Sequence, residues 1–270
     1  MLGKLVKNEI KASAHTMSFI YIAALVTIGI MLLAYLVDVM WLSALATLAL
    51  MFIALISLVV TFIGIIVNFS KTLYGPQGYL SFTLPVSSRA LLASKAIVAF
   101  FWMIISYVIS LALLVGVYMY ATSMVGEDNI EMIKMLIQMF SSLPSEAAIR
   151  QYLILLAFTF FIQIAFLVAE LFFSITFANT RILQKLGGFA PIVVFFVIFI
   201  IGQVCNFLLT SHVPIIVSPT DNGLTLGFTQ SMLDAGNFSM GISGYLFQLV
   251  ATIGLFVATE WLMEHKVNIK

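Results

Sequence analysis

The sequence predicts an all-α integral membrane protein with six transmembrane helices and with both termini in the cytoplasm. Hydrophobic residues make up 63% of its 270 residues, and charged residues only 9%. An ordinary soluble domain is about half apolar and about a quarter charged, and a single globular core stops growing before it could bury such an excess. The apolar residues also form long runs, as a bilayer-spanning protein requires.

Six apolar stretches are long enough to cross the hydrocarbon core, which takes about 20 residues as a helix. They cover roughly residues 16–37, 42–69, 96–120, 151–178, 189–211 and 244–263. The first stretch is longer than a signal-peptide core, and no small-residue cleavage site follows it, so we interpret it as a retained span. Residues 16–270 are therefore predicted to form one six-span transmembrane domain.

Lysine and arginine positions orient these spans. Ten of the twelve basic residues lie before the first span, after the last span, or in the loops after spans two and four. Only Lys134 and Arg150 lie on the opposite side. Because cytoplasmic loops carry the excess of basic residues, the basic side is predicted to be cytoplasmic. Residues 121–150 and 212–243 are then extracellular segments of a multi-pass protein of the cell membrane.

Residues 1–15 are predicted to form an amphipathic helix on the cytoplasmic membrane surface. One face is apolar and the other is mostly basic, with Leu2, Leu5, Val6 and Ile10 opposite Lys4, Lys7, Lys11 and His15. The apolar face would enter the interface while the lysines meet anionic lipid. A cytoplasmic partner could contact the same surface, and the residues leave both roles open.

The extracellular segment 212–243 contains Pro214, Pro219 and Asp221-Asn222-Gly223 but no lysine or arginine. Its middle, residues 224–233, is compatible with a short helix or with a stretch that dips back toward the membrane. Non-helical backbone at that depth is tolerated only where protein buries it or where it lines a cavity.

Residues 70–95, between spans two and three, form the most informative loop. Gly75 and Gly78 interrupt any continuous helix, and Ser87 or Ser88 can cap the helix that leads into span three. Four large apolar side chains lie between these signals, outside the lipid: Tyr79, Leu80, Phe82 and Leu84. Such side chains either dock a partner or pack against neighbouring helices of the same chain, and physical reasoning alone does not choose between the two.

The loop contains the string Lys71-Thr-Leu-Tyr-Gly-Pro-Gln-Gly-Tyr-Leu-Ser-Phe-Thr-Leu-Pro-Val-Ser-Ser-Arg89. It resembles the ABC-2 type permeases of Gram-positive bacteria, which commonly read K-x-L-Y-G-x-x-G-Y-L-x-x-T-L-P-V-S at this place. The ending Glu264-His-Lys-Val-Asn-Ile269 also resembles their usual basic residues before V/L-N-L. The six-span layout extends the resemblance over the whole chain, but much less specifically.

The resemblance implies a permease subunit of an exporter, paired with a second copy or a paralogue and docked on a separate cytoplasmic ATPase. In that family this loop carries the coupling helix, which transmits closure of the ATPase to the spans. The residues that match the family's motif are Tyr74, Gly75, Gly78, Tyr79, Leu80, Leu84 and Pro85. With Phe82 they are the candidate ATPase-binding residues. Pro76-Gln77 replaces an acidic residue that relatives often carry there, which puts a charged contact in doubt but not apolar docking.

Nucleotide chemistry is expected on the partner and not on this chain. The sequence has no G-x-x-x-x-G-K-[ST] phosphate loop and no stretch outside the spans that could form an ATPase domain. ATP and Mg²⁺ would therefore be bound by the partner ATPase. Gly241-Ile-Ser-Gly244 superficially resembles a rhomboid-protease motif, but a nucleophilic serine needs a nearby histidine, and no predicted span contains one. We expect no enzyme activity, no catalytic residue and no bound cofactor.

Composition limits the classes of ligand that the chain is expected to bind. The net charge of +1 argues against nucleic acid, which needs a concentrated basic face. A single cysteine, Cys205, and three widely separated histidines predict no metal site. The apolar, methionine-rich character favours a hydrophobic or amphipathic substrate, such as a peptide, a drug or a lipid, over a sugar or a metal ion, and membrane lipids are expected contacts.

Span four contains Glu170 and, seven residues earlier on the same helical face, Gln163. An ionised carboxylate at such depth costs about 2.5–3.5 kcal/mol on insertion scales, so it should face protein or a water-filled cavity. The pair is predicted to form a polar stripe along a dimer interface or translocation path, or else to have a structural partner in the bundle. Two alternative functions of the chain remain open. One is a secondary transporter or channel without an ATPase, and the other is a membrane sensor or scaffold.

Overall fold

The computed structural model describes residues 2–37, 40–75, 78, 86–125, 134, 143–180, 183, 189–213, 215–228 and 239–265. The described residues contain six long helices: α1 (Leu2–Leu36), α2 (Met40–Leu73), α3 (Ser88–Val125), α4 (Glu146–Ala178), α5 (Ala190–His212) and α6 (Ser243–His265). Three strands precede α6: β1 (Ile215–Thr220), β2 (Gly223–Phe228) and β3 (Met240–Gly241). Two compact units divide the chain: unit 1 is Met1–Ile130 with Ile269–Lys270, and unit 2 is Glu131–Asn268.

Five of the described helices, α2 to α6, are long and apolar enough to cross a membrane. Helix α1 is bent by 49° between Leu2–Ala14 and Met17–Leu33, and it makes a sixth if the bent pair forms one span. The bend falls where the sequence separates the amphipathic residues 1–15 from the first apolar stretch. The chain is thus mostly helical, with five or six helices that can span a membrane.

The outward faces of these helices are apolar. Phe19, Phe52 and Phe207, on three different helices, are 75%, 63% and 71% exposed. A helix that faced water would carry polar residues at such positions, whereas a helix that faces lipid need not. The exposed surface therefore agrees with the composition.

Unit 1 is built from α1, α2 and α3, which pack against one another. Its core includes small and branched side chains from all three helices, namely Ala24, Leu50, Ala54 and Leu113. Small residues let helix backbones approach closely, which is the usual way that helices associate in lipid.

A buried hydroxyl network (Ser57, Thr61, Ser106 and Ser110) joins α2 to α3 in unit 1. Thr61 Oγ1 donates to Ser106 Oγ at 3.0 Å, and Ser106 Oγ donates to the Ser57 carbonyl at 3.1 Å. The Ser57 and Ser110 hydroxyls lie 2.6 Å apart, and Ser110 also donates to the Ala54 carbonyl at 2.9 Å. In an apolar surrounding such bonds fix the register of the two helices.

In unit 2, α4 packs against α5, α6 and the sheet. The sheet is antiparallel with strand order β2-β1-β3. Gln151 Oε1 on α4 accepts a hydrogen bond from the Leu224 backbone N–H at 2.7 Å, which ties β2 to the helix. The sheet is therefore attached to the end of α4 by a specific contact.

The mostly helical chain contains one small sheet, which was not expected. The sheet corrects one interpretation: a short helix beginning at residue 224 is wrong, because Gly223–Phe228 is a strand. Thr220 pairs with Gly223, so Asp221 and Asn222 form a two-residue hairpin turn, and Gly223 has φ 118°. Asp-Asn-Gly between β-prone residues is a turn signal that the sequence contains. Residues 229–233, the rest of that stretch, lie outside the described residues.

We predict that Thr61→Val lowers the free energy of unfolding of the protein by about 0.6 kcal/mol and by no more than about 1.7 kcal/mol, as interhelical hydrogen bonds in membranes do. Valine keeps the shape of threonine and removes the hydroxyl that donates to Ser106. Reversible unfolding in mixed detergent micelles would measure the change.

Thr27→Val is the matched control, because the Thr27 hydroxyl donates to the Ala23 carbonyl of its own helix, at 2.9 Å. It should change the free energy of unfolding by a few tenths of a kcal/mol at most. Equal effects of the two variants would show that the network does not join the helices.

Candidate functional site

Helix α2 is followed by a tight turn that contains three of the candidate coupling residues. Tyr74 packs edge-on against Phe69, with ring centroids 6.1 Å apart. The Gly78 N–H donates to the Gly75 carbonyl at 2.8 Å. A Cβ on either glycine would collide with carbonyl oxygens in the last turn of α2. The two glycines are therefore required by close backbone approach, which explains their place in the motif.

The other end of the loop is the start of α3. Ser87 Oγ accepts a hydrogen bond from the Ala90 N–H at 3.3 Å, which confirms the predicted serine cap. The remaining candidate coupling residues lie outside the described residues, so their docking stays a prediction: Tyr79, Leu80, Phe82, Leu84 and Pro85.

A buried ion pair connects both ends of this loop to the N-terminal helix. Lys95 Nζ lies 2.6 Å from Glu9 Oε1 and donates to Thr72 Oγ1 at 2.7 Å. The Lys95 and Glu9 side chains are only 3% and 18% exposed. Glu9 belongs to α1, Thr72 to the end of α2 and Lys95 to the start of α3. We call these three residues the three-helix junction. The Lys95 ammonium group contacts one residue on each of the other two helices of unit 1.

A second buried contact lies two helical turns farther along α3. Trp102 Nε1 donates to Ser13 Oγ at 2.8 Å, and the Trp102 ring stacks on Tyr21 with centroids 6.2 Å apart. Ser13 precedes the bend of α1 and Tyr21 follows it. The arm of α1 before the bend is therefore packed against α3 through Glu9 and Ser13.

The three-helix junction was not predicted from the sequence. Charge counting treats Lys95 as one more cytoplasmic cation and assigns no role to Glu9. The signal was present, because Glu9 is the only acidic residue before Asp38, and Lys95 borders an apolar stretch. An ionised group at such a border needs a partner of opposite charge, and the two residues supply each other.

In unit 2, Glu170 lies in the packed interior. It is 1% exposed, and its Oε1 has no hydrogen-bond partner among the described residues. On α5, Gly202 lies against it: a Cβ on Gly202 would stand 2.9 Å from Glu170 Oε1 and 3.1 Å from the Phe166 ring. Gln248 of α6 is also 1% exposed, and its Oε1 too is unpartnered among the described residues. The hydrogen-bond partner that was expected for Glu170 in the bundle is thus not found for its Oε1 among the described residues.

Gln163 lies in a different setting. It lines a pocket of about 370 Å³ together with Tyr152, Asn206, Thr210 and Tyr245 and the segment 239–241. Phe166, only 3% exposed, lies between Gln163 and Glu170 along the same face of α4. The predicted polar stripe therefore consists of one residue in a cavity and one residue in the packed interior.

The wall of this pocket depends on a close approach of α5 and α6. A Cβ on Gly244 would overlap Asn206 Oδ1 and stand 2.6 Å from Thr210 Oγ1. Thr210 Oγ1 donates to Asn206 Oδ1 at 3.3 Å, and Ser243 Oγ donates to the Leu209 carbonyl at 3.2 Å. Only glycine lets the two helices present these polar groups to the same cavity.

Comparison with known proteins assigns no family, because no protein-family model matches the sequence and neither a curated protein nor a solved structure is significantly similar to it. The resemblance to ABC-2 permeases therefore rests on the 71–89 string, the ending 264–269 and the predicted layout.

We predict that Lys95→Met lowers the free energy of unfolding by roughly 3 kcal/mol, because it leaves the Glu9 carboxylate enclosed without a cation. The double variant Glu9→Gln/Lys95→Met should lose less unfolding free energy than the sum of the losses in the two single variants. A double-mutant cycle on reversible unfolding measures this coupling. Lys71→Met, at an exposed lysine near the end of α2, is the control, and strictly additive losses would contradict the junction.

We also predict that Gly244→Ala destabilises the protein by about 1 kcal/mol, because the new methyl group overpacks the contact with Asn206. Adding Asn206→Ala should restore part of the loss. Gly254→Ala in the same helix meets no atom within 4 Å and should be neutral or slightly stabilising. The same unfolding assay applies, and equal losses at both glycines would argue against the close approach.

Proposed function

We propose that the chain is the six-span permease subunit of an ATP-driven transporter that exports a hydrophobic or amphipathic substrate. Its partners would be a cytoplasmic ATPase, which binds ATP and Mg²⁺, and a second permease copy or a paralogue. The observation that carries the proposal is the three-helix junction at the two ends of the 70–95 loop. The loop whose sequence resembles a coupling segment is the one whose ends are joined to every helix of unit 1.

A coupling loop has to convert a push from its partner into a displacement of helices. Lys95 at the start of α3 holds Thr72 at the end of α2 and Glu9 on α1. Farther along, the hydroxyl network holds α2 and α3 in one register. Because packed helices move as bodies and do not deform continuously, a displacement of the loop would move the three helices together.

The charge distribution supports the cytoplasmic place of this loop, since its basic residues agree with positive-inside orientation. The apolar side chains of the loop then face the compartment that contains ATP. An orientation with both termini inside the cell also places the amphipathic arm of α1 on that side, next to the loop ends that it contacts through Glu9.

A secondary transporter is the second candidate, and Glu170 favours it. An enclosed carboxylate with an unpartnered oxygen is a feature of proton or cation pathways in transporters. The two functions are separable in proteoliposomes that contain the purified chain alone. Transport driven by an ion gradient without ATPase, and lost in Glu170→Gln, would favour the secondary transporter.

The direct test is co-purification. The tagged chain, extracted from its own membranes in a mild detergent, should bring down a protein that contains a phosphate-binding loop and labels with a photoreactive ATP analogue. Recovery of the permease alone under conditions that preserve its fold would count against the proposal.

We predict that Tyr79→Ala/Leu84→Ala reduces ATP-driven transport at least tenfold while the protein stays folded, because the two substitutions remove apolar contacts worth about 1–3 kcal/mol each. ATP hydrolysis by the bound ATPase should no longer depend on substrate. Transport into inside-out vesicles and hydrolysis by the same vesicles provide the two measurements.

The matched control is Leu226→Ala/Phe228→Ala, which removes two apolar side chains that are 72% and 82% exposed on β2, in the segment predicted to be extracellular. Its transport should be unchanged. Normal transport by the loop variant would disprove the coupling assignment. So would labelling of Ser81→Cys, in a Cys205→Ser background, by an impermeant reagent on intact cells.

A further inference from the structure

The described lining of the pocket in unit 2 is mostly polar and contains no charged side chain. Its side chains include two tyrosines, two carboxamides and a threonine: Tyr152, Tyr245, Gln163, Asn206 and Thr210. Carboxamides and hydroxyls both donate and accept hydrogen bonds. No described residue of the lining is ionised at neutral pH. The pocket is open on one side, and its described lining offers hydrogen-bond donors and acceptors but no counter-charge. This combination favours an uncharged group with several hydroxyls over an ion.

The pocket lies close to the ends of two helices. Asn206 and Thr210 occupy the last two turns of α5, which ends at His212, and Tyr245 lies in the first turn of α6. Along α4 the lining runs from Tyr152 to Gln163, which is about 16 Å at the rise of a helix. The cavity is thus elongated, and it reaches from the helix ends toward the middle of the apolar stretches.

The flank of α5 beside its pocket-lining face carries an apolar side chain. Phe207 follows Asn206 by one position, about 100° around the helix, and is 71% exposed. An acyl chain attached to a head in the pocket would have to turn around this flank to reach apolar surface. Amphiphiles combine a polar head with such a chain, and freely soluble polar compounds do not.

Cation recognition is a competing assignment, because Glu170 lies two turns farther along α4. Phe166 separates Glu170 from the pocket: it packs edge-on against Phe247, with ring centroids 6.5 Å apart, and lies against Gly202. A headgroup in the pocket would contact the carboxamides and hydroxyls and not the carboxylate. The geometry therefore favours a neutral ligand over an ammonium group.

We propose that this pocket binds an uncharged, hydroxyl-rich headgroup, carried by an amphiphile whose chain lies along the apolar surface of α5. Tyrosine rings next to carboxamides suit such a group, because the rings cover its apolar faces while the amides and hydroxyls bond its hydroxyls. The inference rests on the proposed export function for its biological role, and it narrows the substrate class to amphiphiles with a neutral polyol head.

The test measures binding to the purified full chain in phosphatidylcholine nanodiscs, without ATPase. The probe is an alkyl glucoside with a diazirine on the chain carbon nearest the sugar. Cross-links should map to the peptides that contain Asn206 or Tyr245. Excess octyl glucoside, below its micelle concentration, should compete, whereas octyl sulfate and octyltrimethylammonium should not. Competition by glucose alone would show that a free polyol suffices, and failure of glucose would assign the site to the amphiphile.

Variants complete the test. Asn206→Ala and Tyr245→Phe should each weaken cross-linking roughly fivefold, the effect of losing about one hydrogen bond. Gln203→Ala is the matched control, because Gln203 is a carboxamide on α5 outside the described lining, and it should cross-link normally. Tyr245→Phe keeps the test valid if Asn206→Ala does not fold. Equal competition by all three headgroups, or full cross-linking in both pocket variants, would overturn the proposal.

The result of this binding test does not depend on whether the chain is an ATP-driven transporter, because the test uses the chain without an ATPase. Loss of binding together with a co-purified ATPase would refute only the ligand assignment. Binding without an ATPase would refute the coupled permease and leave the ligand site in place.

Discussion

The placement of one ammonium group constrains the rest of unit 1. Lys95 is almost fully enclosed by protein, and an enclosed cation is stable only where oxygen atoms surround it. Glu9 and Thr72 supply these atoms from two other helices, so the relative positions of α1, α2 and α3 follow from this requirement. The hydroxyl network continues the constraint along α2 and α3. Apolar packing by itself would allow the helices to slide, because lipid and leucine are equally apolar.

The sequence predicted the helical content and the location of the apolar helices well, because both depend on hydrophobic run length, which is a local property. The serine cap of α3 is local in the same sense, since Ser87 binds an N–H only three residues away. The turn glycines after α2 were identified as helix breakers from the sequence, and the structure adds the carbonyl oxygens that exclude any larger residue.

Features that depend on distant residues were not predictable in the same way. Glu9 and Lys95 are 86 positions apart, and charge counting treats each of them as an independent surface group. The pocket of unit 2 combines side chains from α4, α5 and the β3–α6 region, which only the packing of the helices brings together. Gln163 was a candidate because of its helical phase with Glu170, and its neighbours on α5 gave no sequence signal. The hairpin is a different case, since its turn at Asp221-Asn222, followed by Gly223, is a local feature that the sequence contains.

The wide separation of the paired charges also has a consequence for biogenesis. A ribosome releases Glu9 long before it reaches Lys95, so during synthesis the carboxylate remains beside the nascent first helices without its cation. The arm that carries Glu9 then takes its final position only after the third helix has been inserted. The packing of unit 1 is thus completed only when α3 is in place. A chain that stopped before residue 95 would lack the cation that pairs with Glu9.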